Sequence, residues 1–271
     1  MPAWTEIGDR VFVRRYEFYD QNIGVVLGDG AALVIDTRST HVQGREILAD
    51  LRTLTTDPVT VVVDTHGHFD HAFGNHVFRP ATIWGHVGCP RFMAWNAEPK
   101  RAMMATDEPS LAGQMAEVVI DPPDRVFAEA TTVEVGGRPV DLRFLGRGHT
   151  DHDIVVSVPG ADVLFAGDLV EGGAVPFFND AYPLDWPVTA GLLAGQVTGV
   201  IVPGHGNHAG HAFATSQAAA IGGIAELAGR IHSGEITLDG ALEMTPFPEF
   251  PTSQIRIPLE RALAQLRGEL D

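Results

Sequence analysis

Val59-Thr60-Val61-Val62-Val63-Asp64-Thr65-His66-Gly67-His68-Phe69-Asp70-His71 is the stretch on which the reading of this chain turns. Its first five residues form a short β-branched run, which at this length reads as a buried strand. Three imidazoles and a carboxylate then follow within the six residues from His66 to His71. Such crowding is costly unless something draws the groups together, and a metal ion is the natural candidate. Imidazole and carboxylate are ligands suited to Zn²⁺ and iron. If the chain is still extended as it leaves the strand, His66 and His68 point to the same side. Asp70 and His71 come after the chain turns and can approach a second point nearby. One loop thus offers two ligands to each of two positions. Two ions roughly 3.5–4 Å apart are the signature of two-metal hydrolysis.

This loop cannot complete either coordination sphere, and further candidates lie downstream. Gly148-His149-Thr150 follows the apolar run 140–145, Gly167-Asp168 follows 162–166, and Gly204-His205-Gly206 follows 199–203. Each candidate is expected just past the end of a short strand. Glycine there lets the backbone turn tightly and come close to the site.

Together these residues resemble the metallo-β-lactamase-fold hydrolase superfamily. The match runs in order over residues 23–206: Ile35-Asp36-Thr37, the His-rich loop at 65–71, GHT at 148–150, GD at 167–168 and PGHG at 203–206. The resemblance implies an α+β fold, an αβ/βα four-layer sandwich of two mixed sheets flanked by helices, with the metals at one edge. It implies that His66, His68 and His149 bind one zinc ion, that Asp70, His71 and His205 bind a second, and that Asp168 bridges them. Asp36 would support the His-rich loop from behind by hydrogen bonds, since a carboxylate ending an apolar strand needs partners. Fe or Mn are the alternative metals.

Composition bounds the rest. With 271 residues the chain fits one domain, residues 1–271, with a C-terminal helical extension over about 234–271. Its formal net charge is −17, its only lysine is Lys100, and it has no basic run. Nucleic acid and an anionic membrane are therefore poor partners, and a small-molecule substrate is expected. The lone Cys89 precludes an intrachain disulfide and reads as a buried small side chain. No apolar leader or spanning stretch is seen, so a cytoplasmic location is expected. An exposed apolar loop could form a homodimer contact.

Strands are expected at 11–18, 23–27, 31–35, 59–63, 81–84, 125–127, 131–135, 139–145, 153–158, 162–166 and 200–202. Asp29-Gly30 and Gly136-Gly137 mark hairpin turns. Ser39 or Thr40 can cap a helix running to about residue 54. Helical pieces should lie over the site at 87–118, and helices are expected at 188–197, 211–233 and 253–270. Residues 171–187 read as an ordered loop bordering the pocket. In it Tyr182 and Asn179 could polarise a substrate carbonyl, or Phe177, Phe178, Tyr182 and Trp186 could merely pack the loop. His152 could lie near substrate or serve as an ordinary loop histidine. His76 and His86 are expected to make structural hydrogen bonds, and His41 and His232 to be solvated.

The implied function is hydrolysis by a dinuclear zinc site. A metal-bridging hydroxide, oriented by Asp70, would attack a lactone, ester, thiolester or β-lactam carbonyl. The alternatives are a mononuclear iron oxidoreductase of the persulfide-dioxygenase type, built from His66, His149 and Asp168, and a metal-binding module without turnover.

Overall fold

The computed structural model describes residues 4–196 and 199–270. The elements in chain order are β1 (Thr5–Gly8), β2 (Val11–Tyr16), β3 (Gln21–Leu27), β4 (Ala32–Ile35), α1 (His41–Leu51), β5 (Val59–Val63), α2 (Phe69–Ala72), β6 (Thr82–His86), α3 (Cys89–Asp107), α4 (Ala112–Ala116), β7 (Arg125–Phe127), β8 (Ala130–Val135), β9 (Arg138–Phe144), β10 (Ile154–Val158), β11 (Val163–Glu171), α5 (Trp186–Ala194), β12 (Val200–His205), α6 (His211–His232), α7 (Leu238–Leu242) and α8 (Thr252–Leu266). They fall into two compact units. One comprises residues up to 144 together with 156–163; the other comprises 145–155 and 164 onward.

In the first unit β1 to β4 pair antiparallel in sequence order, and β4, β5, β6 and β7 continue the sheet in parallel. Thr40 starts α1, its hydroxyl accepting the Gln43 N–H, as the sequence led one to expect. Helix α1 is the crossover between the parallel strands β4 and β5. It lays Ile47 and Leu51 against Ile23, Val34, Val62 and Ile83, forming one core of the unit. A smaller core joins Phe69 and Phe73 to Ala97, Met104 and Met115 of the two helices that follow β6. The His-rich loop leaves the carboxyl end of β5, the end of a parallel strand where sites are usually built. Strands β8 and β9 form a hairpin closed by Gly136 and Gly137, both at positive φ.

In the second unit β11 is buried along its whole length. Helices α5 and α6 bury Trp186, Ala190, Leu193, Ala214 and Ile221 with Leu164, Leu169 and Ile201. Helix α8 packs Ile255, Leu259 and Ala262 on Ile224 and Leu227 of α6. It also reaches the loop after β11: Arg261 donates to the Ala181 carbonyl, and Gln265 accepts the Leu184 N–H.

Several sequence expectations are corrected. The strand expected to stop at 166 runs on to Glu171, so Asp168 lies inside β11 rather than past its end. Gly167 takes φ +52°, the signal for a turn, yet the strand continues through it and buries Leu169 and Val170. His205 is likewise the last residue of β12. Helix α5 begins at Trp186, two residues early, because Pro187 supplies a pre-set φ to its first turn; Val197 lies outside the described residues. The strand from Val11 ends at Tyr16, before a 3-10 turn in which Tyr19 and Asp20 take positive φ. The short elements β1 and α7 went unread.

Candidate metal centre

In the first unit the donors arise from one turn of chain. His66 Nε2 and His68 Nδ1 are 3.0 Å apart, and the His66 and His71 ring centroids are 4.2 Å apart. His71 Nε2 lies 3.6 Å from Asp70 Oδ2. All four side chains are buried, His71 completely. The loop is pinned from β3 and from the continuation of β4. Thr37 gives both its N–H, at 2.7 Å, and its hydroxyl, at 3.0 Å, to the His71 carbonyl. Gln21 donates to the Asp70 carbonyl.

Asp36 is the hub behind these ligands. Its Oδ1 accepts the Thr65 N–H at 2.8 Å; its Oδ2 accepts the Thr65 hydroxyl at 2.9 Å and faces His71 Nδ1 at 2.8 Å. A carboxylate partner requires the proton on Nδ1, which places the His71 lone pair on Nε2. Asp36 is 2% exposed and sits at φ +63°, a conformation that Asp and Asn tolerate better than other side chains. Next to it Asp64 is fully buried. Burial pushes its carboxyl well above the usual range, against the opposing hydrogen bond from Asn75 at 2.7 Å. Neither Asp64 nor Asn75 was singled out in the sequence.

In the second unit Asp168 Oδ2 lies 3.6 Å from His149 Nε2 and 3.3 Å from His205 Nε2. The loop carrying His149 is fixed by Asp153, whose carboxylate takes both the N–H and the hydroxyl of Thr150, at 2.7 and 2.8 Å. His149 Nδ1 donates to the Phe177 carbonyl at 3.1 Å, which places the ring's lone pair on Nε2, and its ring packs 5.8 Å from that of buried Trp186. Glu171, another residue the sequence reading missed, takes the Phe177 N–H at 2.9 Å, and Gln217 of α6 brackets the Glu171 backbone. A Cβ at position 204 would overlap the Asp168 carboxylate, so only glycine lets that group lie where it does.

Each unit therefore presents its own cluster of donors: His66, His68, Asp70 and His71 in the first, His149, Asp168 and His205 in the second. Imidazoles held through Nδ1, as His71 and His149 are, beside buried carboxylates are the donor chemistry a divalent cation requires.

The residues proposed for substrate contact are placed differently. Asn179 is exposed on the loop. Tyr182 is buried beneath the guanidinium of Arg147, 4.4 Å from its ring centroid, and Arg261 lies 6.0 Å away. Phe178, Tyr182 and Trp186 pack the loop, whereas Phe177 is 39% exposed. His152 is fully buried, its Nδ1 2.6 Å from Asp151. His76 and His86 do make structural hydrogen bonds, to Asp121 and to the Ala128 carbonyl. His41, expected in solvent, is buried instead: its Nε2 accepts the Val119 N–H at 3.1 Å, and its ring stacks on His76.

A chain with this donor chemistry on α+β architecture has the makings of a metal-dependent protein, and comparison with known sequences gives its kinship. It belongs to the metallo-beta-lactamase superfamily, whose profile matches residues 16–217. Its fold is the α+β fold of that family, which contains metallo-hydrolases. The metallo-beta-lactamase type 2 of Bacteroides fragilis is 30% identical over 93 residues, covering 32% of this chain and 37% of that one. The linear primary-alkylsulfatase of Pseudomonas sp. (strain ATCC 19151) is 25% identical over 211 residues, covering 64% of this chain and 39% of that one. Among solved structures, a double mutant of the sec-alkyl sulfatase PisA1 superimposes with a TM-score of 0.79 at 14% identity, over 98% of this chain and 50% of that one. The chain thus spans half or less of each of these three proteins. Among the described residues no helix is long and apolar enough to cross a membrane.

Proposed function

We propose that the protein is a hydrolase that holds two zinc ions and acts on a carbonyl-type small-molecule substrate. One ion would be held by His66, His68 and His149, the second by Asp70, His71 and His205, with Asp168 shared. The observation that carries this reading is the burial of six of these seven donors, all but His205, with the His71 and His149 rings oriented by Asp36 and the Phe177 carbonyl. Exposed surface histidines would need none of that support. The ions would supply two things: acidification of a water molecule and polarisation of the scissile group.

The protein's own residues do the rest. Asp36 and the Phe177 carbonyl fix which nitrogen of His71 and His149 carries the proton. Asp70, the candidate catalytic residue, has a carboxylate able to ligate and to accept a hydrogen bond from the attacking water, which orients it. The burial of the donor groups keeps bulk water from competing. No serine or cysteine nucleophile is required.

The electrophile in the first reading is a carbonyl: a lactone, ester, thiolester or β-lactam. A second reading, an alkyl sulfate ester, is favoured by the similarity of nearly two-thirds of this sequence to a linear primary-alkylsulfatase. A panel of both substrate classes, assayed on zinc-loaded protein with its Asp70→Ala variant as control, tests the proposal. Turnover that disappears in the variant supports it, and turnover that persists overturns it. An iron content near one per chain would instead favour the oxidoreductase.

A further inference from the structure

Helix α3 runs on from a residue that touches a candidate ligand. Phe92, in its first turn, packs its ring 5.4 Å from that of His68, and Trp95 stands edge-on to Phe92, also at 5.4 Å. From there residues 92, 95, 99 and 103 recur at helical spacing and share one face. They are Phe92, Trp95, Pro99 and Met103. Phe92 is buried, but Trp95 is 63% exposed, Met103 is 42% exposed, and Pro99 is exposed. The helix has already used a different face for its core, where it buries Met93, Ala97 and Met104. The exposed stripe is therefore not left over from packing. It is an apolar strip one side chain wide, and at 1.5 Å per residue it is about 16 Å long. Exposed large apolar groups in a contiguous row mark a binding surface.

We propose that this strip holds the unbranched hydrocarbon chain of the substrate, an acyl or alkyl tail whose polar end lies at the metals. This rests on the function proposed above and names its substrate class. Two features favour a tail over another macromolecule. The strip begins at a candidate metal ligand, so a tail leaving the reacting centre meets it directly. Its width, bounded by Arg91 and Glu98 on one side and Asn96 on the other, matches one chain rather than a protein face. Trp95 and Met103 suit the role, being large or pliable apolar groups that adapt to a flexible ligand.

The test measures kcat/KM for p-nitrophenyl esters from butanoate to decanoate, together with binding of decanoate itself by isothermal titration calorimetry. Full burial of a methylene contributes about fourfold; a tail with one side open to water gains about twofold. The wild type is expected to gain about twofold in kcat/KM per methylene, through KM. Trp95→Ala and Met103→Ser, both exposed positions where folding is not at stake, are expected to flatten that slope and weaken decanoate binding at least fivefold. An unchanged slope in both variants overturns the proposal even if the esters are cleaved. Decanoate binding that depends on Trp95 supports the strip even if no ester is cleaved, so the two readings fail separately. Concentration-dependent dimerisation abolished by Trp95→Glu, with no decanoate binding, would assign the face to a second copy and overturn it too.

Discussion

Replacing Asp36 by Asn separates the two services this side chain renders. The carboxylate accepts three hydrogen bonds, at 2.8, 2.9 and 2.8 Å, in a site 2% exposed. Hydrogen bonds to a charged group contribute about 1.5–3 kcal/mol each. Asp36→Ala deletes all three, leaves the Thr65 N–H and His71 Nδ1–H buried without partners, and removes the short polar side chain that eases the φ +63° conformation. Relief of a buried charge offsets part of this loss, and the net cost should be about 3–5 kcal/mol. Asp36→Asn keeps the Thr65 N–H partner, can donate to the Thr65 hydroxyl, and tolerates the backbone. Its cost should be about 1–2 kcal/mol. What Asn cannot do is accept from His71 Nδ1. Its N–H₂ turned toward that nitrogen favours the tautomer protonated on Nε2, the nitrogen meant for the metal. Zinc affinity should fall about 10- to 100-fold, the range for loss of such a support. Urea unfolding of chelator-stripped protein measures the first effect, and zinc titration against a competing chelator the second. An Asn variant that binds zinc as tightly as the wild type would refute the reasoning.

Other substitutions probe the supports one at a time. Gly204→Ala pushes a methyl into the Asp168 carboxylate, so bound zinc should drop well below the wild-type content while far-UV circular dichroism is unchanged. Trp186→Ala removes a fully buried ring that packs on His149 and donates to the Leu169 carbonyl; it should cost about 3–5 kcal/mol by urea melt. His41 gives a pH signature. Burial holds its pKa below the ordinary value, so the folded state resists the proton that the unfolded chain accepts. Stability from this group is present above about pH 6.5 and is lost as pH falls through the depressed pKa. His41→Gln should therefore show less acid sensitivity between pH 7 and 5 than the wild type, in parallel thermal melts of metal-free protein.

The β-branched run before the His-rich loop was legible because a short parallel strand that buries Val61, Val62 and Val63 in succession has little choice of composition there. The turn glycines of β8–β9 and the Thr40 cap were legible for the same local reason. Asp168 was misplaced because Gly167 looks like a terminator in one dimension, whereas burial of Leu169 and Val170 decides the matter in three. His41 read as solvated because an imidazole near a helix start has no sequence sign of the Val119 N–H that meets it. The donor residues were legible by type and spacing. Their supports were not: Asp64 with Asn75, and Glu171 with Phe177 and Gln217, are paired by tertiary contact across sequence gaps of 11, 6 and 46 residues. Only Asp36, placed at a strand end, announced its role.

The central claim is that seven side chains hold two ions. Zinc measured per chain by inductively coupled plasma mass spectrometry, after reconstitution and removal of excess metal, addresses it most directly. The account predicts two in the wild type, and about one in both His149→Ala and His71→Ala, since each variant weakens a different position. A wild-type content of one or less, or variants that still carry two, would contradict it.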